Sequence, residues 1–137
     1  EAISAKLLKP LCERLRVPVD CRDLALLVAI FHGDIHRAEL LRPATMVKVI
    51  ARCDVLRRPE RFEELLGACE ADYRGRSGFA EKAYPQADMW RSAIAATHTV
   101  DAGVIAKSCE NPQHIAERIH AARVSAVAAL GLQKTQD

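Results

Sequence analysis

Two histidines four residues apart, His32 and His36, are the first residues of this sequence whose type and spacing could support chemistry. On a helix this spacing places both rings on one face, which is a geometry that metal sites use. A zinc protease would need a glutamate between them, but Gly33 and Asp34 stand there and no third ligand is evident. The alternative is a pair of histidines at a helix end, where a positive charge complements the helix dipole. The residues alone favour this second interpretation.

Three arginines at a predicted helix start, Arg57, Arg58 and Arg61, form a second candidate site. Guanidinium groups match phosphate oxygens with two parallel hydrogen bonds, and a helix start adds free N–H donors. The alternative is an exposed surface on which the arginines pair with nearby carboxylates, namely Glu60, Glu63 and Glu64. Both interpretations stay open at this level.

The stretch from Glu70 to Phe79 is the most specific in the sequence, because two carboxylates precede two arginines that flank a glycine. Arg74 and Arg76 could bind phosphate together with N–H groups of the glycine loop. They could instead fold back onto Glu70 and Asp72 and fix the loop. The closeness of opposite charges favours this structural role.

The remaining candidates are ordinary. His98, His114 and His120 share no helical face and are interpreted as surface or cap residues, and Trp90 as a core anchor. There is no Ser-His-Asp order, no P-loop and no dinucleotide-binding fingerprint.

Composition limits the class of protein. The chain has 137 residues, the length of about one domain, with 50% hydrophobic but only 4% aromatic residues, which favours packed helices. A net charge of +2 is too small to bind nucleic acid through the overall field. Five cysteines without a CxxC pair argue against zinc ribbons and disulfides and predict a reducing, cytoplasmic location. No apolar run reaches the ~18 residues of a membrane span. Because the chain opens at Glu1 without Met, we expect a piece of a longer protein.

Apolar residues recur at helical spacing and predict an all-α fold of about seven helices. Their stripes cover the following stretches: Ile3–Leu15, Leu24–Phe31, Met46–Cys53, Phe62–Cys69, Trp90–Ile94, Val104–Ile105 and Ile115–Ala126. Asp20 and Asn111 are predicted N-caps, and four prolines are predicted at helix starts, namely Pro43, Pro59, Pro85 and Pro112. The stretch from Arg74 to Tyr84 is predicted to be a long loop.

These same residues carry a resemblance to a known family. The chain resembles the carboxy-terminal portion of the bacterial multifunctional CCA-adding enzyme, a tRNA nucleotidyltransferase with a built-in HD phosphohydrolase domain. The matching stretches lie in order along nearly the whole chain: Leu11 to Pro18, Arg22 to Ala25, Phe31-His32, Ile35-His36, Arg57 to Phe62, Glu70 to Phe79, and Tyr84 to Gln86.

The resemblance implies a parent enzyme whose amino-terminal head uses Mg²⁺ to add C, C and A to tRNA from CTP and ATP. It also implies an HD domain that hydrolyses phosphate esters, including 2′,3′-cyclic ones, with a divalent metal. This chain would begin after the head and after the His-Asp pair of the HD domain. Residues 1–38 would be the last HD helices, and residues 39–137 a helical tail.

The resemblance also assigns roles to the candidate residues. His32 would be a catalytic residue that donates a hydrogen bond or transfers a proton to the phosphate. The tRNA-binding residues would be Arg57, Arg58, Arg61, Arg74 and Arg76. We expect no metal ligand in this chain, no cofactor bound to it and no activity of the chain alone. The sequence does not set an oligomeric state.

Two other functions stay open. The chain could be an independent helical module that binds RNA or another protein, or part of a stand-alone HD-type hydrolase without the transferase head. The upstream reading frame separates the three hypotheses. A Gly-Gly-x-x-Arg-Asp segment followed by a His-Asp pair supports the first, an HD motif alone the hydrolase, and neither motif the independent module.

Overall fold

The fold is all-α, as predicted, in a computed structural model that describes residues 2–132. The seven α-helices of this part of the chain are α1 (Ala2–Arg14), α2 (Val19–His36), α3 (Pro43–Arg52), α4 (Pro59–Arg74), α5 (Gln86–His98), α6 (Ala102–Lys107) and α7 (Ile115–Ala128). Two 3₁₀ turns, Ala38–Leu40 and Pro112–His114, precede α3 and α7. Residues 2–132 contain no β-strand.

Two of the four predicted proline starts are confirmed as the first residues of α-helices. Pro43 and Pro59 are the first residues of α3 and α4, where the missing N–H costs no hydrogen bond. Pro85 stands one residue before α5, in the N-cap position, and Pro112 opens the 3₁₀ turn rather than α7 itself. Asn111 caps that turn, since its side-chain oxygen accepts a hydrogen bond from the N–H of Gln113 at 3.0 Å.

The prediction of Asp20 as an N-cap is wrong. Pro18 holds the N-cap position of α2 in an extended conformation, and the helix begins at Val19. Asp20 therefore lies within the first turn, where its carboxylate still complements the positive end of the helix dipole. A cap that the sequence analysis did not predict is Asp101, whose carboxylate accepts from the N–H of Val104 at 3.0 Å.

Trp90 on α5 anchors the hydrophobic core and is fully buried, as predicted. Its ring meets Phe62 of α4 edge-on at 5.7 Å, and its indole N–H donates to the carbonyl of Ile35 at 3.1 Å. The core also contains Phe31 of α2. It therefore crosses the predicted boundary between residues 1–38 and 39–137, and that division stays a prediction.

Helix α1 has the predicted apolar stripe, but most of it is exposed. Ile3, Leu7, Leu11 and Leu15 are between 40% and 74% exposed, and only Cys12 is buried. The helix packs chiefly on α2. Within residues 2–132 no helix is both long and apolar enough to cross a lipid bilayer.

Candidate functional site

His32, the predicted catalytic residue, lies on the last turns of α2 and is half-buried. Its Nδ1 atom is 2.9 Å from the carbonyl oxygen of Val28. Because a carbonyl only accepts hydrogen bonds, Nδ1 carries the proton in the neutral ring. The lone pair of Nε2 is then free to accept a proton, and a protonated ring could donate from the same atom.

The imidazole of His32 lines an open, mostly apolar groove of about 640 Å³. The groove lies between α1, α2 and α4, and its other lining residues are Ser4, Leu8, Cys21, Leu24, Ala25, Val28, Ala29, Ala68, Cys69 and Asp72. The structure thus brings His32 and the carboxylate of Asp72 to the same groove. An apolar groove with a few polar groups is the usual form of a ligand or docking site.

His36 lies on the same face of α2 as His32, as the spacing predicted, and the two ring centroids are 6.2 Å apart. Its Nε2 is 3.2 Å from an oxygen of Asp72, and its Nδ1 is 3.0 Å from the hydroxyl of Tyr84. An ionised carboxylate only accepts, so Nε2 donates to Asp72 and Nδ1 accepts from Tyr84. Both nitrogens of the neutral ring are therefore satisfied.

The hydrogen-bonded groups Asp72, His36 and Tyr84 are each held in one protonation state at neutral pH by burial and by neighbouring charges. Burial lowers the pKa of His36, although Asp72 acts in the opposite sense. The guanidinium of Arg76 lowers the pKa of Asp72, while burial raises the pKa of Tyr84. At neutral pH the phenol is protonated, the imidazole neutral and the carboxylate ionised. His36 thus has a clear structural role in connecting α2, α4 and the loop before α5.

Arg74 and Arg76 pair with the carboxylates that precede them, as the structural interpretation predicted. Arg74 contacts Glu70 at 2.8 Å, and Arg76 contacts Asp72 at 3.0 Å. Arg74 also donates to the carbonyl of Ala80 at 3.1 Å, which fixes the loop. Their role in tRNA binding, which the resemblance implies, stays a prediction.

Arg57, Arg58 and Arg61 differ in their surroundings. Arg57 is 83% exposed and lies 3.9 Å from Asp54. Arg58 is exposed, and its side chain has no ion pair or hydrogen bond in the part of the chain that the structure describes. Arg61 is only 17% exposed and lies within 3.9 Å of Asp20 and Asp23.

The surface interpretation, one of the two left open, named the wrong carboxylates as partners of these arginines. In place of Glu60, Glu63 and Glu64, the partners are Asp54 in the same turn and two aspartates of α2, because the acidic first turns of α2 lie beside the start of α4. Glu63 pairs with Arg91 of α5 at 2.9 Å.

The five predicted tRNA-binding arginines do not form one cluster. Helix α4 has 16 residues and is therefore about 24 Å long. Arg57, Arg58 and Arg61 lie at its start, and Arg74 and Arg76 lie at its end. The exposed, weakly paired arginines are Arg57 and Arg58, so the start of α4 is the better candidate for contact with phosphates.

The resemblance places the HD metal in the rest of the parent and no metal ligand in this chain, and that expectation stays a prediction. Within residues 2–132, no group of three or more His, Cys, Asp and Glu side chains could hold a metal ion. Cys21, His32, Cys69 and Asp72 all line the groove, but among the described residues they do not come together as a set of metal ligands.

The connection of Tyr84 and Asp72 to His36 was not predicted from the sequence. Both residues lie in stretches that carried the family resemblance, but they are 48 and 36 residues from His36. Hydrogen bonds over such distances depend on how the helices pack, and no local spacing reports them. The only signal was the presence of a tyrosine and an aspartate in matching segments.

The chain is similar over nearly its whole length to proteins named Multifunctional CCA protein. It is 57% identical over 129 residues to the protein of Paraburkholderia phymatum, covering 93% of this chain and 31% of the relative. It is 55% identical to the protein of Cupriavidus metallidurans, with the same coverage. It is 52% identical to that of Aromatoleum aromaticum, covering 94% of this chain and 32% of the relative. No family model and no solved structure matches the sequence.

These similarities confirm the resemblance that the sequence carried. The chain is homologous to one portion of the multifunctional CCA proteins, and the coverage is consistent with a carboxy-terminal portion. It spans about a third of the length of the curated relatives it matches.

Proposed function

We propose that this chain is the carboxy-terminal part of a tRNA nucleotidyltransferase that adds or repairs the 3′-terminal CCA of tRNA from CTP and ATP. The observation that carries the proposal is the identity of 52–57% to multifunctional CCA proteins along 93–94% of the chain. Nucleotide binding, Mg²⁺ and the transfer reaction belong to the head of the parent, and the parent is expected in the cytoplasm. Its second activity is hydrolysis of phosphate esters, including 2′,3′-cyclic phosphates, by the HD domain.

Within this parent, residues 1–38 are the last helices of the HD domain and residues 39–137 are the tail. The exposed stripe of α1 supports this division, because a helix that ends a larger domain keeps an apolar face for the rest of that domain. The buried end of α2 then joins the HD domain to the tail.

His32 supplies a proton-transfer group to the phosphohydrolase reaction. Its Nδ1 is held by the carbonyl of Val28, so the free Nε2 is the atom that meets the substrate. A neutral ring takes a proton there, and a protonated ring donates a hydrogen bond to a phosphate oxygen. Asp72 lines the same groove and holds His36 rather than the substrate.

The test is His32→Ala in the full-length protein. We expect hydrolysis of a 2′,3′-cyclic phosphate to fall by about 10²–10⁴-fold, which is typical when a positioned acid or base is removed. Incorporation of CMP and AMP into tRNA should be unchanged. His114→Ala, at an exposed histidine of the 3₁₀ turn before α7, is the matched control and should change neither activity. Equal loss of both activities in His32→Ala would contradict the assigned role.

The chain alone is expected to be inactive. Neither nucleotide incorporation nor phosphate release above a protein-free blank should be detected with the 137-residue chain. Turnover by the purified chain that is abolished by His32→Ala would mean that it contains a complete active site, contrary to the proposal.

A further inference from the structure

The last two turns of α2, which carry His32 and His36, are held by residues of the predicted tail. Phe31 and Ile35, each one position before a histidine, are buried in the core. The indole N–H of Trp90 also donates to the carbonyl of Ile35 at 3.1 Å. The backbone that carries both histidines is therefore fixed by α5 as well as by its own helix.

Helix α4, which also belongs to the predicted tail, forms one wall of the groove that His32 lines. It contributes Ala68, Cys69 and Asp72 to that wall, while His32 comes from α2. The groove in which the proposed function has His32 meet its substrate is thus built from both sides of the predicted boundary after residue 38. A change in the tail can therefore alter the reaction without touching the substrate.

His36 connects these tail residues to His32. Its ring meets that of His32 edge-on, with the ring centroids 6.2 Å apart and the ring planes at 83°. Its two nitrogen atoms are occupied by the tail, since Nε2 donates to Asp72 at 3.2 Å and Nδ1 accepts from the hydroxyl of Tyr84 at 3.0 Å. The side chain of His36 is only 16% exposed, so water does not readily replace these partners.

The hydroxyl of Tyr84 controls the charge of the ring that His32 faces. A second proton on His36 would have to bind to Nδ1, whose lone pair accepts the hydrogen bond from Tyr84. A hydrogen bond to the neutral form of a group disfavours its charged form. Burial acts in the same direction and lowers the pKa of His36, although Asp72 opposes it. A protonated His36 would place a positive charge beside His32, and a like charge at that distance disfavours protonation of His32.

The other charged groups around the two histidines are paired with one another. The pairs are Arg76 with Asp72 at 3.0 Å, Arg74 with Glu70 at 2.8 Å, and Arg37 with Asp34 at 3.5 Å. Helix α1 contributes Ser4 and Leu8 to the groove, and neither side chain ionises. Besides His32 and Asp72, the groove contains the thiols of Cys21 and Cys69, and burial raises the pKa of Cys69 to about 12. The charge of His36 is therefore the one that the hydroxyl of Tyr84 can change.

We propose that Tyr84 and Asp72 are positioning residues for the phosphohydrolase reaction, which hold His36 as a neutral ring against His32. This inference rests on the proposed function, because that function assigns His32 to the reaction. It goes further by placing part of the control of His32 in the tail, through two residues that act on His36 and not on the substrate. With His36 neutral, His32 exchanges its proton beside the carboxylate of Asp72 rather than beside a cation.

The pH dependence of kcat/KM for cytidine 2′,3′-cyclic phosphate, measured with the full-length protein, tests the proposal. In Tyr84→Phe the limb of the profile that depends on His32 should move to lower pH by about 0.5–1 unit, because a charged ring 6.2 Å away hinders protonation of His32. Tyr73→Phe is the matched control and should leave the profile unchanged, since the Tyr73 hydroxyl has no hydrogen bond within the described residues. A Tyr84→Phe profile that coincides with the wild type would overturn the proposal.

His36→Gln separates this role from a purely structural one. The amide of the new side chain donates to Asp72 and accepts from Tyr84 as the neutral imidazole does, but it takes up no proton. We expect His36→Gln to keep the limb at its wild-type position, and Tyr84→Phe added to His36→Gln to cause no shift. A shift of equal size with and without His36 would mean that Tyr84 acts through the fold and would contradict the proposal.

The titration of the His32 ring is followed directly by NMR of the full-length protein labelled with ¹³C-histidine, with His32→Ala to identify the signal. Its midpoint should be lower in Tyr84→Phe than in the wild type. If Tyr84→Phe does not fold by circular dichroism, Asp72→Asn should also lower the midpoint, because it removes a negative charge from the groove at a side chain that is 56% exposed. An unchanged midpoint in a folded variant, with hydrolysis that still depends on His32, would contradict this inference only. A lowered midpoint without any phosphohydrolysis would contradict the proposed function only, and the coupling of the two rings would stand.

Discussion

The two ends of α2 belong to regions with similar apolar content and very different burial. Among residues 3–30, Cys12 is the only fully buried apolar residue, although this region holds a run of seven apolar residues and the four-residue stripe of α1. Between Phe31 and Ala96, the apolar stripes of α3, α4 and α5 are buried in one core that contains Trp90. An apolar stripe therefore indicates which face of a helix needs a packing partner, and a core forms only where that partner is present.

The largest effect that separates the two regions should come from Trp90→Ala. Removing a fully buried indole that packs on Phe62 and donates to the Ile35 carbonyl should lower the free energy of unfolding by about 3–5 kcal/mol. Leu7→Ala on the exposed stripe should change it by less than about 0.5 kcal/mol. Urea unfolding of the chain followed by circular dichroism at 222 nm measures both. Similar losses in the two variants would mean that α1 contributes as much to stability as the core around Trp90.

A smaller effect is expected where α2 meets the loop before α5. Tyr84→Phe removes the hydroxyl that donates to Nδ1 of His36, and should cost about 1–3 kcal/mol of unfolding free energy because a half-buried acceptor loses its donor. Tyr73→Phe is the matched control, since the Tyr73 hydroxyl has no hydrogen bond within the described residues and its ring contacts are kept. An unchanged free energy of unfolding in Tyr84→Phe would mean that the hydrogen bond adds no stability.

The same contact should make the stability of this region depend on pH. Burial lowers the pKa of His36 below its ordinary 6.5, so the unfolded chain binds a proton more readily than the folded one. The contribution of His36 is present above pH 6.5 and is lost as the pH falls through the folded pKa. Asp72, whose pKa the guanidinium of Arg76 lowers, makes a contribution that is fully present above pH 3.8 and is lost as the pH falls through its folded pKa, so it stays constant over the range in which His36 titrates.

The difference in unfolding free energy between the wild type and His36→Gln, measured from pH 7.5 to 5, isolates this contribution. We expect the wild type to lose more stability than the variant over that range. This loss would arise at the carboxy-terminal end of α2, where His36 contacts Asp72 and Tyr84. A wild type that instead becomes more stable relative to the variant on acidification would mean that His36 is charged in the folded protein.

The smallest effect is expected for the arginines at the start of α4 in the full-length protein. Replacing Arg57 and Arg58 with Ala should weaken tRNA binding and reduce the slope of log K against log salt by about 1.4–1.8, which corresponds to two lost phosphate contacts. Arg61→Ala should leave the slope unchanged, because this side chain is mostly buried beside Asp20 and Asp23. Filter binding from 50 to 200 mM KCl gives the slopes. An unchanged slope for the double variant would leave these arginines as ordinary surface residues.

The sequence predicted features that depend on neighbours along the chain. The helices and the pairs Glu70–Arg74 and Asp72–Arg76 follow from spacings of three and four residues, and the structure confirms them. The helix starts at Pro43 and Pro59 follow from the missing N–H of proline and are confirmed as well. The ion pairs of Arg61 and the partners of His36 were not predicted, because they join helices far apart in sequence. The misplaced cap at Asp20 shows that an extended proline, here Pro18, can set a helix start two residues earlier than the predicted capping side chain would.

Trp90 is the only tryptophan of the chain, and its indole donates to the carbonyl of Ile35 at the buried end of α2. Its fluorescence therefore reports on the joint between α2 and α5 and should be insensitive to α1. If α1 detaches while the rest of the chain stays folded, the emission maximum should stay in the blue, and only opening of the joint should shift it to the red. One natural fluorophore thus gives a built-in optical signal for the junction of the two regions, without any label.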